Sequence, residues 1–337
     1  MLYYRAPSSL QHDPSAAIAG HPDTPQRIEA IETALEARDW LGWERREAPA
    51  ATEAELELVH TREHVARLRE LSASGGGQLD ADTHVGAASY DAALHSAGGA
   101  CAMVRALLSG EASTAFCGLR PAGHHAEPER AMGFCLFNNA AVAAELAIRE
   151  LGARRVLIVD WDVHHGNGTE EAFRRRDDVL YASIHQSGLF PGTGAMADVG
   201  SGAGLGYTIN APVPKGTDEE VWLSLLEYVI VPAASEFGPD LVLISAGFDA
   251  HRDDPVGGCV LESESFARMA RLVRDLGANA GAPVGALLEG GYDPPALASS
   301  VAATLAALAG EGEADSIAPD PMVTSRVAAH VGHYWSL

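Results

Sequence analysis

Residues 156–169 read Val156-Leu-Ile-Val-Asp160-Trp-Asp162-Val-His164-His165-Gly-Asn167-Gly-Thr169. An apolar run of four that ends on an aspartate has the length and composition of a strand buried on both faces, as in a parallel sheet covered by helices. Other runs of strand length are Thr114–Cys117, Val179–Ile184, Leu241–Ser245 and Val284–Leu288, each bounded by Gly, Pro or Asp. Helix-length amphipathic stretches alternate with them, at about Asn138–Leu151, Glu219–Glu236, Ser263–Leu276 and Pro295–Leu308. The last starts at Pro294-Pro295, where a first helical turn tolerates proline. This alternation predicts an α/β fold with a mostly parallel central sheet flanked by helices. Helical periodicity in Thr24–Arg38 and Ala54–Leu71 adds two elements packed against that sheet, and Gly75-Gly76-Gly77 reads as a loop. No repeat or long linker divides the chain, so residues 1–337 are expected to form one domain. Its motif-bearing core covers about residues 20–310, with an acidic polar stretch at about 310–321.

The composition, 47% hydrophobic with a mean hydropathy near zero, is that of a folded globule. No apolar run reaches the ~18 residues a membrane span needs, and the first residues lack the basic-then-apolar layout of a signal peptide. The expected location is the cytoplasm. Acidic residues number 46 against 23 basic ones, a net charge of −23. Such a surface repels nucleic acid phosphates and anionic membranes, so neither is expected as a partner and cationic ligands are favoured. Cys101, Cys117, Cys135 and Cys259 lie far apart with no Cys-x-x-Cys pair, and read as reduced thiols.

In open parallel sheets ligands gather outside the carboxyl ends of the strands. The residues that follow these strands are rich in metal-ligating types. Asp162 and His164, two apart at a strand end, suit a metal clamp if the chain is still extended there. Asp249, at the end of another strand, supplies a third ligand, and three protein ligands with an open position make a catalytic metal centre. Standing alone, an Asp-x-His would read more readily as a turn before a capped helix, but here it does not stand alone. Adjacent His124 and His125, beside Pro121 and Gly123, imply a tight turn that presents both imidazoles to one cavity. If a buried carboxylate holds one of them charged, the other can act as a general base. Tyr292, after a Glu-Gly-Gly turn, can donate a hydrogen bond to a developing oxyanion. Phe134 and Phe190 read equally as core packing or as the walls of a narrow apolar channel.

Taken together, these segments resemble the histone deacetylase family, in particular its class II and bacterial amidohydrolase-like branch. The resemblance runs through His21-Pro-Asp-Thr-Pro-Gln-Arg27, Arg120-Pro-Ala-Gly-His-His-Ala126, Gly133-Phe-Cys-Leu-Phe-Asn-Asn139, the 160–169 segment, Phe190-Pro-Gly-Thr-Gly194, Ser245-Ala-Gly-Phe-Asp249 with Asp254-Pro255, and Glu289-Gly-Gly-Tyr292. It implies a three-layer arginase-like α/β fold and zinc held by Asp162, His164 and Asp249, with Fe2+ as an alternative metal. It further implies His125 as general base, His124 as its electrostatic partner supported by Asp160, and Tyr292 polarising the amide carbonyl. Asn167 stands behind His125, as in class II. A structural potassium ion is implied at Asp160, Asp162, His164, Ser183 and Ile184, through side chains or backbone. Gly133, Phe134, Phe190 and Val256 would line the substrate channel, and Arg27 would stand near a product exit.

The implied reaction is hydrolysis of an N-acetyl or other acyl amide. Acyl-lysine in peptides or proteins is the expected substrate, small acetylated amines such as polyamines are the alternative, and a non-catalytic metal-binding scaffold is the third reading. Val256 stands where polyamine-selective relatives can place a glutamate, which argues against that form of recognition. Asp80 or Asp82, in the loop after the glycine triplet, is a candidate rim residue that binds substrate. Arginases and agmatinases share the fold but need two metals and further aspartates absent from these motifs. The sequence is compatible with a homo-oligomer and specifies none.

Overall fold

A computed structural model describes residues 1–314 and 316–337; Asp315, within the acidic polar stretch, lies outside the described residues. Ten strands occur among them: β1 Leu2–Arg5, β2 Glu44–Glu47, β3 Gly76–Gln78, β4 His84–Gly86, β5 Thr114–Cys117, β6 Val156–Asp160, β7 Val179–Gln186, β8 Thr208–Val213, β9 Leu241–Ala246 and β10 Val284–Leu288. Eight of them form one sheet in the order β2-β1-β5-β10-β9-β6-β7-β8. Every neighbouring pair is parallel. β3 and β4 form a separate antiparallel pair.

The apolar runs are continuous because both sheet faces are covered. Along β6, Val156 and Ile158 pack into one hydrophobic cluster and Leu157 and Val159 into the other. β9 divides in the same way, Leu241 and Leu243 on one side, Val242 and Ile244 on the other. Helices Ser89–Leu108 and Asn139–Arg149 contribute to the first cluster. Helices Gln26–Glu36, Ser263–Ala280 and Pro294–Leu308 contribute to the second. The result is the expected three-layer arrangement.

The order of the strands places the chemistry. After β6 the chain runs outward through β7 and β8, then returns to lay β9 against β6 and β10 against β5. The four middle strands are therefore β5, β10, β9 and β6, and their carboxyl ends open together at a reversal of strand order, where such sheets bind ligands.

Several expectations need correction. The glycine triplet is not wholly loop: Gly76 and Gly77 pair with Gly86 and Val85 in the small hairpin. The helix expected over Ala54–Leu71 is two helices, Glu53–Leu56 and Arg62–Ala73, each with its own threonine cap, Thr52 and Thr61. The helix over Glu219–Glu236 contains a π turn at Leu226–Ile230 just ahead of Pro232. Proline has no N–H to continue the ladder, and the wider turn absorbs that loss. Asp162 and His164 do not lie on extended chain, because β6 ends at Asp160 and the next residues bend.

Candidate active site

At the exit of β6, Asp160 turns its carboxylate back on the chain. Its Oδ1 accepts the Asp162 N–H at 3.1 Å, and its Oδ2 accepts the Tyr181 hydroxyl at 3.0 Å and faces His124 Nδ1 at 3.1 Å. The next turn repeats this pattern. Asp162 Oδ1 accepts the His164 N–H at 2.8 Å and stands 3.0 Å from His164 Nδ1. A turn closed by aspartate side chains, rather than extended chain, thus aims Asp162 and His164 at one point. Asp249, from the exit of β9, brings its Oδ2 to 3.0 Å from the same His164 nitrogen, while its Oδ1 accepts the Val163 N–H at 2.8 Å.

All three side chains are buried, and one ligand atom from each lies within 4.8 Å of the others. A ring nitrogen carries at most one hydrogen, yet two carboxylate oxygens face this one. Burial and the neighbouring Asp162 charge push Asp249 up to about 7. Burial opposes a charge on His164, but the two aspartates raise it to about 10. Two buried carboxylates around one imidazole are short of positive charge, and a divalent cation supplies it. The backbone leaves room behind the ligands: a Cβ on Gly247 would strike the Asp162 carboxylate, and one on Gly290 would strike the carboxylates of both Asp249 and Asp162.

His124 and His125, at the exit of β5, lie with ring centroids 4.0 Å apart and planes tilted by 42°. Their second partners differ. Burial works against a charge on His124, but Asp162 and Asp160 raise it to about 10. His125 is driven well below its ordinary value by burial, then by the neighbouring His124 charge. Its Nδ1 lies 2.9 Å from Asn167 Oδ1, and the Asn167 amide nitrogen donates to Glu127 Oε1 at 2.8 Å. Glu127 thereby fixes which way the amide points, so His125 Nδ1–H donates to Asn167 and Nε2 keeps its lone pair.

The β10 exit brings Tyr292 beside this group. Its N–H donates to Asp254 Oδ2 at 2.6 Å, and the other Asp254 oxygen accepts the Val256 N–H at 2.9 Å, so half-buried Val256 is tied to the tyrosine loop. The Arg27 guanidinium lies 4.7 Å from the Tyr292 ring centre. Burial raises the phenol well above its ordinary value despite that cation, so the hydroxyl stays protonated and able to donate. Arg27 is itself buried. It donates to the Gly291 carbonyl at 2.6 Å, to the Glu289 carbonyl and to Asp23 Oδ1 at 2.8 Å.

Gly133 and Phe134 both hold positive φ, 56° and 66°. A Cβ on Gly133 would strike the His125 ring and come within 2.8 Å of Phe190. Phe190 stands edge-on to His125 at 5.0 Å with 37% of its surface exposed, and Phe134 stands edge-on to Tyr292 at 5.7 Å. The two phenylalanines thus flank His125 and Tyr292. The Asp80–Thr83 turn lies next to them: Thr83 Oγ1 accepts the Phe134 N–H at 3.2 Å, and the Asp82 carbonyl faces His21 Nε2 at 2.9 Å. Ser183 is paired in register with Asp160, and Ile184 follows it. The Ser183 hydroxyl, however, bonds His185 Nδ1 at 2.9 Å.

The histone deacetylase domain profile matches residues 21–308. The chain belongs to the histone deacetylase family. It is 40% identical over 279 residues to the histone deacetylase-like amidohydrolase of Pseudomonas aeruginosa PAO1, covering 82% of this chain and 73% of that one. A probable deacetylase of Methanothermobacter thermautotrophicus Delta H is 41% identical over 314 residues, 91% of this chain and 93% of that one. A crystal structure of the HDA15 HD domain superposes with a TM-score of 0.92 at 37% identity, covering 99% of this chain and 94% of that one. Members of this family depend on a metal, and the Asp162, His164 and Asp249 cluster offers the ligand types for one.

Sequence reading gave no role to several residues that shape this family site. Glu127 lies two residues beyond the histidine pair but reads as a surface acid. Asp23 and Arg120 lie inside the quoted motifs; Asp23 Oδ1 receives Arg27 and, at 2.6 Å, Arg120 Nε. That buried pairing is long-range and leaves no local periodicity to detect. Glu289 was quoted only as a turn residue, yet its Oε2 accepts both the Gly123 and His124 N–H groups, at 2.7 and 3.1 Å.

Proposed function

We propose that this chain hydrolyses acyl-lysine side chains in peptides or proteins. The observation that carries the reading is the division between two adjacent imidazoles, one held by a carboxylate and the other by an amide oxygen. It supplies a neutral base next to a fixed positive charge.

Asp162, His164 and Asp249 would hold zinc, or Fe2+ where iron is available, because two carboxylates with one imidazole suit either ion. When bound, the metal would supply a Lewis acid that polarises the amide carbonyl and acidifies water. His125 Nε2 takes a proton from the attacking water as the new C–O bond forms. The same proton then passes to the leaving nitrogen as the C–N bond breaks, giving an amine and a carboxylic acid, whose remaining proton leaves the products as ammonium and carboxylate. His124, fixed by Asp160, stabilises the negative charge that develops, and the Tyr292 hydroxyl donates to the carbonyl oxygen. Gly133, Phe134, Phe190 and Val256 enclose the aliphatic stem of the substrate. Asp80 or Asp82 holds its polar end, and Arg27 receives the departing carboxylate. A potassium ion at Asp160, Asp162, His164, Ser183 and Ile184 would brace the metal-bearing turn.

The reading for lysine side chains rests on Val256, which offers no charge to a second ammonium. A second reading, hydrolysis of acetylated polyamines, is favoured by Asp80 and Asp82 beside Phe134 and by the net charge of −23. Competing the purified, metal-reconstituted protein on an acetyl-lysine peptide and on N-acetylputrescine separates the two. A higher kcat/KM on the peptide is expected; a preference for the diamine would replace the first reading by the second.

A further inference from the structure

Among the described residues, one other buried trio brings metal-ligating atoms together: an imidazole nitrogen of His124, the Cys135 thiol and a Glu289 carboxylate oxygen, all within 4.8 Å of one another. The three come from separate places, the β5 exit, the loop before helix Asn139–Arg149, and the end of β10. They share no residue with the Asp162, His164 and Asp249 cluster. Each is buried to 3% exposure or less.

The hydrogen bonding leaves each residue with a donor atom to spare. His124 Nδ1 is engaged with Asp160, so Nε2 is the nitrogen left to bind an ion once it gives up its proton; a carboxylate behind the ring is how metal-bound histidines are usually oriented. Glu289 spends Oε2 on two backbone N–H groups, while its Oε1 is buried with no hydrogen-bond partner. A buried carboxylate oxygen without a donor costs on the order of 1–3 kcal/mol, which a cation recovers. Cys135 is a free, buried thiol.

We propose that His124, Cys135 and Glu289 form a second metal site, selective for a soft divalent ion such as Zn2+ or Cd2+, and that filling it blocks the reaction. Sulfur, nitrogen and a single oxygen are the ligand set such ions prefer over Mg2+ or Ca2+. A tetrahedral ion with bonds of about 2.0–2.3 Å holds its ligands roughly 3.3–3.8 Å apart, and the three atoms already lie within 4.8 Å of one another. Binding expels two protons to solvent, one from the Cys135 thiol and one from His124 Nε2. The site abuts the first one, since His124 Nε2 lies 3.8 Å from Asp162 Oδ1. An ion there replaces the Nε2 proton of His124 and so removes the imidazolium on which the proposed hydrolysis draws.

Cadmium titration of the metal-free full-length protein tests this, because the Asp162, His164 and Asp249 cluster contains no sulfur. Two equivalents should bind by elemental analysis, one of them with an ultraviolet thiolate-to-metal charge-transfer band. Cys135→Ala should bind one equivalent without a band, and Asp249→Ala one equivalent with it. Should Cys135→Ala fail to fold by circular dichroism, Glu289→Gln must weaken the banded equivalent at least tenfold. A single equivalent in the native protein, or a band that survives Cys135→Ala, overturns the site. Hydrolysis of an acetyl-lysine peptide should fall as the band grows, and undiminished turnover would remove the claim of blockade. That last arm alone rests on the proposed amide hydrolysis; stoichiometry and spectrum stand without it.

Discussion

Tyr292 carries a phenol that burial keeps protonated, with Arg27 and Phe134 against its ring. Tyr292→Phe removes one donor and leaves that packing in place. Turnover should drop by about 10²–10³-fold with metal content unchanged, as for loss of one oxyanion donor; wild-type turnover would show that the hydroxyl has no such role. Glu127 acts at one remove, by orienting the Asn167 amide behind His125. In Glu127→Gln either end of the new amide can face Asn167, so the wrong His125 tautomer becomes populated. A fall in kcat of roughly 10-fold or more is expected, with KM and metal content retained, in the range typical of groups that orient a ligand or base. If KM moves and kcat does not, Glu127 is only a structural support. The aspartates and histidines were legible in the sequence because several ligand types cluster after apolar runs. Glu127 and Asp23 were not, because a lone acid in a loop gives no local sign that it is buried.

Gly133 and Phe134 stand side by side in the proposed channel. Both residues are left-handed, and a non-glycine residue in that region costs about 1–2 kcal/mol. Gly133→Ala should add that strain and drive a methyl group into the His125 ring, lowering kcat/KM well beyond the small loss in thermal stability. Parallel activity and melting measurements would separate the two, and equal losses would argue against a local effect. Among the strands, Thr114–Cys117 and Val284–Leu288 were legible to the residue, because strands in the middle of a sheet are apolar throughout. β2, with sequence Glu-Arg-Arg-Glu, and β8, which includes Pro212, were not. They form the two edges of the sheet, where charge and proline are tolerated and no apolar run is needed. Helix Ser89–Leu108 was missed for another reason: it is rich in small residues on all sides and shows little contrast between faces.

Histidine also sets how the whole protein responds to acid. Burial, and then the neighbouring His64, lower His60 to about 3, and burial with His165 lowers His185 to about 3. Both groups titrate near 6.5 in the unfolded chain, so on acidification the unfolded state takes up protons first. Their contribution to stability is complete above about pH 6.5 and declines toward pH 3, by about 1.4 kcal/mol per pH unit for each. Denaturant unfolding of the metal-free protein between pH 6.5 and 4 should show this decline. His60→Gln, which can still accept the Asn138 N–H, should reduce the slope by about one proton's worth; an unchanged slope would mean His60 is not neutral when folded. The strand order has a consequence for how the protein is made. A chain elongating from its amino terminus completes β5, β6, β7 and β8 before β9 and β10, yet those last two fill the gap between β5 and β6. Until residue 288 has left the ribosome, the middle of the sheet presents two open edges to other nascent chains. Until residue 249 has emerged, the candidate metal cluster lacks one of its two carboxylates, so an ion that needs all three ligands would be taken up late in synthesis.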